Sequence, residues 1–310
     1  MITPRVTRLV RVPDLKAMRA AVSRLVSGPG LSVRRTAVLV PTRGAGDALR
    51  RSLENAALSN AGALVLPDIV SRAAFYERLH ASLPGAPAML SAPEREVLLR
   101  RAAREAIAGG AVPPFRLRAG LVLQMLDFYD DLRRREQTLD DFARHTTARL
   151  ADSAEVDRGA ERLLRQTEFL CATFARFERS TVETGCLDEH ALRAMLLESQ
   201  AEQRAYTRVV VTVADQAADP LGLFSSDFDL LSRMRGIERL EVIATESRLA
   251  AGFHERVHSV WPGVEEVRLG DPSPPPVVAV PEHAEPTQPW FVSRDREEEL
   301  VRIVRWLKAR

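Results

Sequence analysis

Cysteine is scarce in these 310 residues: Cys171 and Cys186 are the two present, and no CxxC or other metal-ligand spacing joins them. That excludes a disulfide framework and a thiolate zinc module, and it fits a reducing compartment with two buried thiols. Long apolar runs are lacking as well. No segment approaches the roughly 18 apolar residues that a membrane-spanning helix needs, and arginines interrupt the N-terminal MITPRVTRLVRVP where a signal peptide would carry its apolar core. The expected location is cytoplasmic, with no membrane partner. Net charge of one sign is also missing. Lys and Arg number 44 against 42 Asp and Glu, leaving +2, so any surface attractive to nucleic acid has to be local. What remains is 45% apolar, enough to bury a substantial core and to exclude a disordered chain.

Apolar periodicity divides the chain into blocks. In residues 1–90 strand-like and helix-like segments alternate, as βαβ units around a parallel sheet require. Thr7–Val12 reads as a strand, Asp14–Val26 as a helix with Leu15, Met18, Ala21, Val22 and Leu25 on one face, and Thr36–Val40 as a strand covered on both faces. A helix over Ala45–Ala57 and a short strand at Ala63–Leu66 follow. Residues 91–205 carry only helical spacing: a helix opened by Pro93, one over Leu117–Arg135, and a long stripe of Val156, Ala160, Leu163, Thr167, Leu170, Phe174 and Phe177. Strands resume at Arg208–Val213 and Leu240–Ala244 with a helix around Asp227–Met234 between them. The Pro-rich stretch 270–289 reads as a linker, and a strand at Trp290–Val292 with a helix at Arg296–Ala309 reads as the start of another domain. The expected fold is α/β: a parallel-sheet domain formed by 1–90 and 206–269, interrupted by an all-helical insertion at 91–205.

Three segments bear motifs. VLVPTRGAGDALRRSL (Val38–Leu53) runs from a buried strand through Thr42 and Arg43 into a helix. LPDIVSRAAFYERL (Leu66–Leu79) runs from a strand through Ser71 into a helix bearing Phe75, and VVVTVADQAADPLGLFSSDFDLL (Val209–Leu231) ends a buried strand in Asp215, Gln216 and Asp219. In this order, with a helical insertion before the third, they resemble the front half of superfamily 1 helicases of the UvrD/RecB type. In that family a strand leads into T-x-x-A, a T-x-x-x-F helix follows, and a later strand ends in D-E-x-Q-D. FVSRDREEELVRIVRWLKAR at the end resembles the S-R-x-R-E-x-E helix that opens the family's second half. The resemblance is closest to the AddB and RecC-like subunits of bacterial recombination nucleases, whose helicase fold is degenerate.

That resemblance implies a P-loop-NTPase-like (RecA-like) α/β domain carrying a 1B-like helical insertion. It also implies a role in DNA double-strand break repair and recombination: binding or channelling single-stranded DNA and docking an AddA/RecB-like helicase-nuclease subunit. Thr42, Arg43 and Ser71 match positions that touch the DNA backbone, and Asp215, Gln216 and Asp219 form a degenerate form of the magnesium-binding motif. In full-length relatives a PD-(D/E)xK nuclease lies far downstream, and nothing up to Arg310 supplies its carboxylates and lysine.

The departures bear on chemistry. A motor of this class needs a Gly-rich loop ending in Lys and Ser or Thr after its first strand, so that backbone N–H groups and the Lys cradle phosphates. Here the strand runs into Val12, Pro13, Asp14 and Leu15: Pro13 removes a donor, and Asp14 repels phosphate. Gln216 stands where a water-polarising Glu is needed and cannot act as a base. No ATPase activity, catalytic residue or cofactor is therefore expected.

An alternative of a different class comes from His254-Glu255-Arg256-Val257-His258, which matches the H-E-x-x-H of zinc peptidases: two ligands one helical turn apart, with Glu255 as base. A third ligand is not apparent, since Glu265 and Glu266 follow too soon, Glu282 falls in the linker, and Glu297, Glu298 and Glu299 lie beyond it. The expectation is that His254 and His258 hold no metal. A third alternative is a structural interaction module that does not contact DNA.

Overall fold

The computed structural model describes residues 5–26, 30–58, 65–154, 156–198, 205–213, 223–271 and 296–308. Six strands, β1 (Val6–Val12), β2 (Thr36–Leu39), β3 (Asp68–Val70), β4 (Arg208–Val213), β5 (Arg239–Thr245) and β6 (Glu265–Arg268), form one sheet in the order β3-β2-β4-β5-β1-β6. Every pairing is parallel. The interior strands are apolar runs rather than alternating ones, because both faces are covered: β2 is buried at all four positions, as are Val209, Val210 and Val211 of β4 and Val242, Ile243 and Ala244 of β5.

Strand order and handedness together decide where the helices lie. The chain steps from β1 to β2 to β3 toward one edge, then from β3 through β4 and β5 to β6 toward the other. Right-handed crossovers then send the helices of the two runs to opposite faces. Accordingly α1 (Leu15–Val26) and α2 (Arg43–Leu58) cover one face with Met18, Val22, Leu49 and Leu53. The other face is covered by α3 (Arg72–Ala81), by α8 (Glu189–Glu198), α9 (Ser225–Arg233) and α11 (His254–Val260), through Phe75, Leu79, Leu192, Phe228 and Val257.

Between β3 and β4 the chain leaves the sheet for α4 (Ala92–Ala108), α5 (Ala119–Arg134), α6 (Leu139–Ala154) and α7 (Arg158–Glu183), returning through α8. α4 opens on a capping box in which Ser91 and Glu94 satisfy each other's backbone N–H groups. Phe169, Phe174 and Phe177 of α7 are fully buried against Leu99 and Ala103 of α4 and Met125 and Tyr129 of α5, giving this helical block its own core. Two expectations are corrected. Of the expected strand Ala63–Leu66, Ala63 and Leu64 lie outside the described residues and Val65 and Leu66 are not strand; β3 begins at Asp68, directly after Pro67, whose missing donor suits a strand's approach but not its ladder. Val156 precedes α7 and is 89% exposed, and Leu163 faces water, so the buried stripe starts at Ala160 and runs on through Phe169. Glu265–Arg268, with one apolar residue in four, forms edge strand β6, where charged side chains discourage further pairing.

A buried ionic junction ties the helical block to the sheet domain. Arg72, 7% exposed, donates from Nε and Nη2 to Asp227 of α9 at 2.7 and 2.8 Å. It also donates to Glu189 of α8, at 3.0 Å from Nη1. Tyr76 Oη donates to Asp227 at 2.7 Å, and Arg134 of α5 reaches Glu189 through Nε at 3.1 Å and Nη2 at 2.9 Å. The Arg72 and Arg134 guanidiniums also lie over the Phe224 ring, 5.2 and 5.3 Å from its centroid.

The chain divides into two units, residues 1–272 and 273–310; in the second, α12 (Arg296–Lys308) is the described element. The expected strand at Trp290–Val292 lies outside the described residues. No helix among the described residues is long and apolar enough to cross a membrane.

Removing one member of a buried ion pair leaves an uncompensated charge, so Arg72→Met is expected to lower unfolding free energy by about 3–5 kcal/mol in urea titrations; a loss under about 1 kcal/mol would contradict the junction's role. Burial pushes the Glu189 carboxyl up, but hydrogen bonds and charge from Arg72 and Arg134 outweigh it and hold it below its ordinary 4.5. A depressed folded value means that the contribution is complete above the ordinary value and is lost as pH falls below it. Wild-type stability should therefore drop more steeply between pH about 5 and about 3 than that of Glu189→Gln, read as urea midpoints.

Candidate functional site

In a doubly wound parallel sheet, ligands meet the carboxyl ends of strands where neighbouring connections depart to opposite sides. Here such points lie on both sides of β2, toward β3 and toward β4, and again between β5 and β1. β2 ends two residues before Pro41, and the chain turns into α2 at Thr42 and Arg43. β3, paired with β2 through Leu39 and Val70, ends at Val70, and Ser71 follows it directly. Val40 N–H donates to Val70 C=O at 2.9 Å, so the two turns leave the sheet side by side. Thr42, Arg43 and Ser71, far apart in sequence, thus share one rim.

Each has a local structural duty. Thr42 Oγ1 accepts from Ala45 N–H at 3.1 Å, and Ser71 caps α3 by accepting from Ala74 N–H at 3.4 Å. A hydroxyl that accepts in a cap keeps its own O–H to donate, so both remain able to reach an anionic oxygen. Arg43 is exposed at the first position of α2. Gly46 permits close packing there: a Cβ would come within 3.3 Å of Val40 Cγ2 and 3.4 Å of Ile69 Cγ2. Asp215, Gln216 and Asp219 lie outside the described residues, in the segment between the end of β4 and Phe224.

At the end of β1 the chain makes a capped turn. Asp14 Oδ1 accepts from Ala17 N–H at 2.8 Å, so a carboxylate occupies the first turn of α1, and Pro13 has no N–H to offer. Beside it lies a cavity of about 210 Å³, walled largely by Leu15, Met18, Val22, Val40, Pro41 and Leu49, with Arg19 and Thr212 as its polar side chains.

The second constellation lies on the far side of the sheet, and it corrects the expectation about Glu266. His254 and His258 sit one turn apart on α11 with ring centroids 4.5 Å apart. Their Nε2 atoms approach the same oxygen, Glu266 Oε1, at 2.9 and 2.8 Å. Eight residues suffice because Pro262 and Gly263 reverse the chain, with Gly263 at φ +75° and Val264 N–H donating to Trp261 C=O at 3.1 Å. β6 then runs back beside β1 with Glu266 opposite Leu9, on the sheet face that α11 covers. Glu266 Oε2 accepts from Arg11 Nη1 at 2.8 Å, and Arg11 is itself bound by Glu246 at 3.1 and 2.6 Å. The hydrogen bonds from Arg11 and the two histidines hold the Glu266 carboxyl down at about 2. Nothing in the residues' order announced Glu266; the Pro-Gly turn after α11 was the available signal. No family model and no curated protein matches the chain.

The capped, apolar surroundings of α1 lead to a direct expectation. Calorimetric titration with Mg-ATP should give no heat of binding at physiological concentration, and a micromolar Kd would overturn it.

Proposed function

We propose that the chain is a non-motor, AddB/RecC-like component of DNA double-strand break repair, on a RecA-like scaffold with the helical block as its insertion. It holds a single DNA strand along the carboxyl rim of the sheet and docks a helicase-nuclease partner. The observation that carries the proposal is the shared rim. The three motif-bearing strands, β3, β2 and β4, are neighbours in a parallel sheet, so the turns that bear Thr42, Arg43 and Ser71 leave the same edge as the end of β4 at Val213.

The chemistry of the rim suits a backbone reader. Hydroxyls at helix caps and one exposed guanidinium reach phosphate oxygens and carry no pattern that would distinguish bases. The Asp14 cap favours the same reading from the other direction, because a scaffold without a phosphate cradle at β1 cannot be a motor and is left with holding and docking. Other arginines are committed elsewhere. Arg100 and Arg101 pair with Glu96 and Glu105, and Arg134 belongs to the buried junction.

Fluorescence anisotropy with a labelled oligo-dT tests this. Binding should be weak and indifferent to sequence, with log Kd changing by roughly 0.7 per phosphate contact for each tenfold change in salt. Arg43→Ala should remove about one such contact for every sequence alike. Strong, sequence-selective duplex binding that Arg43→Ala leaves unchanged would refute the rim as the DNA site. An isolated chain that ignores DNA but forms a stable complex with a helicase-nuclease would leave docking as its role.

A further inference from the structure

The geometry points to a divalent transition-metal site of the zinc class, formed by His254 Nε2, His258 Nε2 and Glu266 Oε1. It is independent of the DNA reading, since it lies at the β6 edge of the sheet, opposite the β3 edge. The three ligand atoms lie within 4.8 Å of one another. Two imidazoles and one carboxylate are a donor set that suits zinc and its neighbours better than the all-oxygen shells of magnesium or calcium.

Three features separate this cluster from a chance surface contact. The histidines are spaced i, i+4 on one helix, so both rings reach one point without backbone change. Glu266 is aimed: Arg11 grips its other oxygen, and Glu246 binds the Arg11 guanidinium, so the local cation is itself countered. That arrangement is the outer support that orients a carboxylate ligand and fixes which oxygen faces the metal. Third, the three side chains are between 28 and 36% exposed, so an ion can enter. A cleft of about 230 Å³, lined by Arg11, Glu246, Leu249, Ala250, His254 and Glu255, adjoins His254 and leaves room for a further, non-protein ligand.

Without metal, each imidazole donates its Nε2–H to Glu266. On binding, each Nε2 gives up its proton, to Nδ1 or to solvent, and turns its lone pair to the ion, so the two hydrogen bonds are exchanged for three coordinate bonds. The ion then fastens α11 to edge strand β6, which among the described residues pairs with β1.

Titration of the chelator-treated full chain with zinc chloride, in competition with a chromophoric chelator, tests the site. One zinc ion per chain is expected, with affinity weakened more than about 10-fold in Glu266→Gln and about 100-fold in His258→Ala. His145→Ala, which removes an exposed histidine on α6, should bind as the wild type does. Zinc should also raise the Tm of the wild type and leave that of Glu266→Gln unmoved. Circular dichroism of each variant keeps lost binding distinct from lost folding, and the Glu266→Gln comparison stands if His258→Ala does not fold. No stoichiometric binding, or affinity equal in wild type and Glu266→Gln, would overturn the proposal.

Discussion

A guanidinium taken out of water must be matched by carboxylates in good geometry, and Arg72 imposes that constraint on much of this fold. It sits directly after the cap of α3, and its counter-charges come from α9 and α8, both packed on the sheet, with Glu189 of α8 shared with Arg134 of the helical block. Neither carboxylate can move away without leaving a charge buried and unpaired, so the junction fixes how the two parts meet more than it adds to net stability. The planar fork of Arg, with donors for two carboxylates and a face for the Phe224 ring, suits the position as Lys would not. Ser71 is held in place by its neighbour. Phe224, where the chain re-enters α9, is held between Arg72 and Arg134.

The same constraint explains part of what could be read in the sequence. The interior strands announce themselves, because a strand covered on both faces must be apolar throughout; Thr36–Leu39, Arg208–Val213 and Arg239–Thr245 fall close to their apolar runs. Amphipathic helices are readable for a similar reason, as in Leu15–Val26 and Ala119–Arg134. Edge strands are not. Asp68–Val70 is too short to show a period, and Glu265–Arg268 is charged because it lies at the border. Of the candidate residues, Thr42 and Ser71 could be placed at strand-to-helix turns, whereas their adjacency depended on the pairing of Leu39 with Val70. The junction itself was invisible: Arg72, Glu189 and Asp227 are joined only by tertiary structure.

The two strand-end regions of the sheet carry opposite chemistry. Between β3 and β2 the turns present hydroxyls that retain a donor and an exposed arginine, a surface receptive to anions. At the end of β1 the helix terminus that would otherwise attract a phosphate is closed by Asp14 from within the chain and bordered by apolar side chains. The proposed function rests on this difference: the first helix is capped by a carboxylate, whereas the second and third are capped by hydroxyls beside an exposed arginine. The helical block, fastened through Arg72, gives that rim a rigid neighbour.

Photocrosslinking reads the central claim most directly. A 4-thiothymidine-substituted oligo-dT, crosslinked to the whole chain and mapped by peptide mass spectrometry, should label the turns around Thr42–Arg43 and Ser71. Labelling confined to the far faces of α4 to α7, or to α1 and the end of β1, would contradict the account.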